Sequence, residues 1–132
     1  KKGDVLYTVT GSFGVPVLLN ENKEFCFQRH IGLVRPKPEI HSEWLYYLLM
    51  SPQIFKQAND GATGTAQKTV SLSLLRSFQV PRVPLEHQLQ IIKKLNTLAE
   101  ETQRLEALYS RKIAALDELK KALLHRAFSG EL

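Results

Sequence analysis

Four histidines, thirteen carboxylates and one cysteine are the residues from which catalysis or a metal site would be built in this 132-residue chain, and their spacing does not gather them. His30, His41, His87 and His125 lie far apart, and none belongs to an H-E-x-x-H pair. No Gly-x-Ser-x-Gly, phosphate-cradling loop or dinucleotide fingerprint occurs. Gly11-Ser12-Phe13-Gly14 is too short for a phosphate loop and reads as a hairpin connection. Glu21-Asn22-Lys23 has the acid-x-Lys form found in metal-dependent nucleases, with Asp4 as the acid that would complete it. Its placement in a turn favours a solvated segment instead. Cys26, between Phe25 and Phe27, is expected to pack as a small hydrophobe; alone, it forms no internal disulfide and suits a reducing compartment. These residues predict a non-catalytic protein with no metal and no cofactor.

Recognition chemistry is better represented. Discriminating bases in the major groove takes side chains with paired donors and acceptors, arginine for guanine and glutamine or asparagine for adenine. Gln67 and Lys68, with Thr63 and Thr65, lie on a glycine-containing loop, residues 61–71. Lys68 suits a phosphate better than a base. Ser12 adds a hydroxyl on the hairpin. Arg29 and His30 fall near the centre of an expected strand, where one of them must face solvent or a partner. The rings of Tyr7, Phe13 and Trp44 are of a kind that stacks on bases, but burial is the stronger expectation. Eighteen basic and thirteen acidic residues give a net charge of +5, of which residues 1–84 carry +4 (ten basic, six acidic). That surplus fits a nucleic-acid partner without specifying one.

The elements that must hold these side chains follow from pattern. Residues 4–10 are β-branched and aromatic and predict a strand. Val15–Leu19 returns from the hairpin, with Pro16 pointing to a sheet edge. A third strand is expected across Glu24–Arg35. Ser42 is the expected N-cap of a helix through Met50, with Leu45, Leu48 and Leu49 on its apolar face. Ser51-Pro52 starts a second helix, Ile54 and Phe55 inward, ending near Asn59-Asp60-Gly61. Ser71 is placed to cap a short turn through Leu75, and Phe78-Gln79-Val80 reads as a last strand.

Between Pro84 and Gly130 there is neither proline nor glycine. Ile91, Leu95, Leu98, Leu105, Tyr109, Leu116, Leu119 and Leu123 recur at alternating steps of three and four, a heptad seam interrupted by Thr102 and Lys112. About 42 helical residues would make a rod roughly 60 Å long, more than the preceding domain needs for its own core. The seam residues are therefore an expected helix-packing interface. The fold class is α+β: a small mixed domain with a short twisted β-sheet and helices, residues 1–84, then one long coiled-coil-forming helix, residues 85–132. No apolar run approaches the ~18 residues of a membrane span, and no signal peptide is visible. A chain that starts at Lys1, with Met50 its single methionine, is expected to be cut from a longer one, with sheet partners for its first strands lying upstream.

Val80-Pro81-Arg82-Val83-Pro84-Leu85-Glu86-His87-Gln88, followed by Ile91-Ile92, resembles the "P-x-P-P-L-x-E-Q-x-x-I" entry to the helical spacer of type I restriction-modification specificity subunits. The end, Leu119-Lys120-Lys121-Ala122-Leu123-Leu124-His125-Arg126-Ala127-Phe128-Ser129-Gly130-Glu131-Leu132, is similar to that family's terminal "L-K-x-x-L-L-x-x-A-F-x-G-E-L". Lys2-Gly3-Asp4-Val5-Leu6 and the loop 61–71 are similar to the second part of its target recognition domain. The resemblance implies a cytoplasmic, non-catalytic subunit that reads one half of a bipartite double-stranded DNA site. It further implies a spacer helix that pairs antiparallel with a second spacer or a homodimer partner, sets the spacing, and recruits methyltransferase subunits and, through them, restriction subunits. The alternative is a coiled-coil docking module that does not bind DNA. A third reading, a nuclease fragment, would rest on Asp4, Glu21 and Lys23.

Overall fold

The computed structural model describes residues 1–24 and 26–131. Strands β1 (Val5–Thr8), β2 (Pro16–Leu18) and β3 (Ile31–Val34) form an antiparallel sheet in the order β2-β1-β3. Helices α1 (Ser42–Met50), α2 (Pro52–Gly61) and α3 (Leu72–Ser77) follow, and the chain closes with α4 (Leu85–Phe128). This is the α+β class expected from the sequence, with Pro16 in an edge strand as its missing N–H requires. The chain divides into two compact units, Lys1–Ile92 and Lys93–Leu132.

The two-residue period of β1 decides where the core sits. Val5, Tyr7 and Val9 point to one face and are buried, while Leu6 and Thr8 point to the other and are half-buried. Leu49 of α1, Ile54 and Ala58 of α2, and Val70 pack against the buried row. The buried Val, Leu and Ile side chains among them each contribute roughly 1.5–3 kcal/mol relative to exposure. Phe78 meets the Tyr7 ring edge-on, with centroids 6.4 Å apart. Tyr7 and Trp44 are thus buried rather than presented to a partner.

Several elements differ from expectation, each for a local reason. The third strand is only four residues long; Ile31 donates to Gln28 O at 3.1 Å, so Arg29 and His30 occupy a tight turn, not a strand centre. Cys26 is exposed, so it does not pack as a small hydrophobe; its neighbour Phe25 lies outside the described residues. The N-cap of α1 is His41, whose Nδ1 accepts from Glu43 N–H, leaving Ser42 as the first helical residue. In α2, capped by Ser51 as expected, Ile54 and Ala58 are buried while Phe55 is half-exposed and stacks on Phe13, centroids 5.7 Å apart. Ser71 caps α3, which runs two residues past Leu75. Residues 78–80 form no strand. The Gln57 carboxamide accepts from Gln79 N–H (2.7 Å) and donates to Gln79 O (3.0 Å), supplying the donor and acceptor a neighbouring strand would have offered.

The first two turns of α4 belong to the globular unit through one polar side chain. Gln88 is fully buried. Its Oε1 accepts from His41 N–H at 2.9 Å, and its Nε2 donates to Glu39 O (3.1 Å) and Val83 O (2.7 Å). Ile92, one turn on, is the apolar half of the same attachment. Within residues 93–131 every side chain except the half-buried Leu95 and Asn96 is exposed, including Leu98 (63%) and Leu116 (64%). Thr102 Oγ1 bonds back to Leu98 O at 2.8 Å, and the Lys112 ammonium lies 5.6 Å from the Tyr109 ring centre. Beyond Phe128 the Glu131 N–H closes onto Arg126 O at 2.9 Å, a helix-ending bond of the Schellman type.

Replacing Gln88 with Leu would leave the His41 N–H without its acceptor. The expected cost is about 2 kcal/mol, read as a lower denaturation midpoint. Gln88→Glu should be worse near pH 7, where a carboxylate faces two carbonyl oxygens, and partly recover near pH 4, where the protonated acid donates again. A Gln88→Leu midpoint equal to wild type would show that the attachment adds nothing.

Candidate nucleic-acid interface

The backbone of β1 does not stop where its two neighbours do. Past Thr8, Val9 N–H donates to His30 O at 2.9 Å while Val9 O accepts from Val70 N–H at 2.7 Å. Thr10 bridges Thr69, and Gly11 N–H donates to Lys68 O at 3.2 Å. Three separate segments are thereby brought to one end of the sheet: the hairpin tip at 11–14, the turn at 28–31, and the loop at 63–69.

Each segment is closed internally. In the hairpin, Thr8 Oγ1 donates to Ser12 O (2.8 Å) and accepts from Val15 N–H (2.9 Å), so one hydroxyl ties both limbs. In the loop, Thr63 and Thr69 exchange two backbone bonds of 3.0 and 2.8 Å. Gly64 makes the tight return between them at φ +107°; a Cβ there would stand 2.3 Å from Gln67 O. Thr65, Gln67 and Lys68 are exposed at the tip. Ser12, Arg29, His30, Thr63, Thr65, Gln67 and Lys68 therefore all lie around this one end. Arg29 is exposed and His30 half-buried. Lys68 Nζ donates to Asn59 Oδ1 at 2.8 Å, a partner read from sequence only as part of a helix stop.

The acids at the other end of β1 are differently employed. Asp4 is buried, and Arg35 grips it with both limbs of its fork, Nε to Oδ1 at 2.7 Å and a terminal nitrogen to Oδ2 at 2.6 Å. The main-chain nitrogen of Lys1 lies 2.9 Å from Oδ2. The Arg35 guanidinium holds the Asp4 carboxyl well below the usual carboxylate range, outweighing the opposite pull of burial. Glu21 and Lys23 are exposed in a loop whose Asn22 Oδ1 accepts from Lys2 N–H at 2.7 Å. Asp4 is thus engaged by Arg35 rather than open to a metal beside Glu21 and Lys23. Among the described residues no three of His, Cys, Asp or Glu are gathered as metal ligands, and no helix is long and apolar enough to cross a membrane.

The described residues thus form a small α+β body with polar loops at one sheet end, followed by a long helix whose apolar residues are largely exposed. The chain belongs to the family of type I restriction-modification DNA specificity domains, whose model matches residues 1–113. It is 26% identical over 133 residues to the type I restriction enzyme EcoBI specificity subunit of Escherichia coli, with 100% of this chain and 28% of that subunit covered. The resemblance read from the two ends of the helix is borne out. The chain spans little more than a quarter of that relative's length.

The ion pair makes a testable pH dependence. Because the folded Asp4 carboxyl titrates below its unfolded value, its stabilisation is complete above about pH 4 and lost as pH falls through the lower folded value. Asp4→Asn should cost on the order of 2 kcal/mol at neutral pH, limited by solvent screening of the half-exposed Arg35. That cost should shrink as acid is added. A pH-independent difference between the two unfolding curves would remove the pair from the account.

Proposed function

We propose that residues 1–84 read one half of a bipartite double-stranded DNA site and that the helix from residue 85 sets the distance to the other half. In this reading the chain is the non-catalytic, cytoplasmic specificity component of a type I restriction-modification system. It recruits methyltransferase subunits and, through them, restriction subunits, and it needs no cofactor of its own. The observation that carries it is the convergence of seven polar or basic candidates on one end of a sheet within a DNA specificity family. Gln67 has the donor–acceptor pair that adenine takes, and Lys68 offers a point charge suited to phosphate.

The seam of α4 is the second half of the proposal. Ile91, Leu95, Leu98, Leu105, Tyr109, Leu116, Leu119 and Leu123 pack against a second spacer helix or, in this chain alone, against a second copy around a two-fold axis. Antiparallel pairing would bring the segment 86–98 of one copy near 116–124 of the other. Each fully buried seam side chain would then add roughly 1.5–3 kcal/mol. The same exposed seam supports the other reading, a docking module that ignores DNA.

Salt separates the two. A DNA reader should bind duplex with an affinity that falls steeply between low and moderate salt, and a docking module should not bind it. Lys68→Ala should weaken all duplexes alike and reduce the salt slope by about one. Gln67→Ala should relax preference at one position at roughly 1–3 kcal/mol. If both variants match the unmodified chain, the loop is not the reading surface.

Light scattering tests the pairing. The unmodified chain should be a dimer at tens of micromolar, and the double change Leu98→Asp with Leu116→Asp should give monomers. A monomeric unmodified chain would sink the homodimer.

A further inference from the structure

Two residues outside the candidate set lie against the loop's side chains. Gly11 has φ +74°, and a Cβ built on it would lie 3.0 Å from Gln67 Nε2. The Gln67 side chain therefore lies across bare backbone, occupying the volume any larger residue at position 11 would fill. Its carboxamide is exposed and forms no hydrogen bond among the described residues, so donor and acceptor are both open. Lys68 is held differently. Asn59, near the end of α2, accepts from its ammonium at 2.8 Å. An amide oxygen holds the ammonium without neutralising it, whereas a carboxylate would leave little net charge for a phosphate.

We propose that Gly11 and Asn59 are positioning residues of the reading loop: Gly11 sets the placement of the Gln67 carboxamide, and Asn59 sets that of the Lys68 ammonium. The inference rests on the reading of this loop as DNA-facing. Its logic is pre-organisation. A lysine already held near its bound rotamer loses less freedom on binding, worth roughly two- to tenfold in affinity. A carboxamide lying over bare backbone with donor and acceptor both open can meet a base edge with both groups, which roughly tenfold discrimination requires.

The test uses the full chain with two probes. One is a pool of duplexes with a randomised segment, sorted by binding and sequenced. The other is a mixed-sequence duplex titrated across salt concentrations. Asn59→Ala should weaken every duplex about two- to tenfold with an unchanged salt slope, because the lysine charge still displaces counterions. Asn59→Asp should lower the slope by about one. Gly11→Asn adds a Cβ while tolerating positive φ. It should lose about tenfold preference at one base position, the position at which Gln67→Ala loses its own, with the salt slope unchanged. Gly11→Ala should do the same with a lower melting temperature.

The failures are distinguishable. If Gln67→Ala and Lys68→Ala alter binding while Gly11→Asn and Asn59→Ala bind as the unmodified chain does, the positioning roles are overturned and the DNA reading stands. If all four behave as the unmodified chain, both fall. A Gly11→Asn variant that weakens all duplexes equally acts through the fold, which overturns its role.

Discussion

The central strand has more backbone than its two neighbours can pair, and most of the molecule is arranged around that shortage. β1 is flanked by β2 and β3 over Val5–Thr8. Beyond Thr8 the N–H and C=O groups continue, and buried backbone groups left unpaired cost about as much as lost hydrogen bonds. Val9, itself buried, uses its two groups on different segments that follow one another along the β3 flank, its N–H on His30 and its C=O on Val70. The requirement for backbone partners thus brings the loop at 63–69 to the hairpin tip. The same strand sends Val5, Tyr7 and Val9 into the core. Core and candidate interface are two consequences of one strand.

Much of this was legible where local chemistry acts alone. Ser51 before Pro52, Ser71 before a short helix, and Pro16 at a sheet edge each behave as their side chains dictate, with no help from distant residues. Expectation failed where a distant group intervened. The strand expected across Glu24–Arg35 stops at Ile31 because Val70 takes the next position beside β1. The strand expected at 78–80 is replaced by Gln57, whose carboxamide satisfies Gln79 from another element. His41 displaces Ser42 as a cap, and its own N–H is claimed by Gln88 from 47 residues away. At the candidate interface the exposed side chains were legible as types, and their gathering was not. It depends on the pairings at Val9, Thr10 and Gly11, which no short motif announces.

Gln88 illustrates the same division in one residue. It stands in the motif beginning at Val80 that carries the resemblance to the family. As a side chain it is a buried amide whose hydrogen bonds go to main-chain atoms of residues 39, 41 and 83. A glutamate of equal length could accept but not donate, and a leucine could do neither. Arg35 on Asp4 is a comparable fastening at the other end of the strand, made with charges instead of an amide. Neither was expected from sequence spacing, because each closes a gap of 31 residues or more.

The loop between Thr63 and Thr69 is fastened to the body almost wholly through main-chain atoms: Thr63 to Thr69, Thr69 beside Thr10, Lys68 O to Gly11, Val70 to Val9. Main-chain fastenings are indifferent to the side chains they carry. Thr65, Ala66 and Gln67 can be exchanged without touching a bond that holds the loop, provided Gly64 and Gly11 keep their places. The frame and its lettering are thus separable, so one scaffold can accept new tip residues while the fold's stability stays nearly constant. On the proposed reading, a module built this way would diverge in what it recognises by a few substitutions at the tip, with its core, its caps and its helix left as they are.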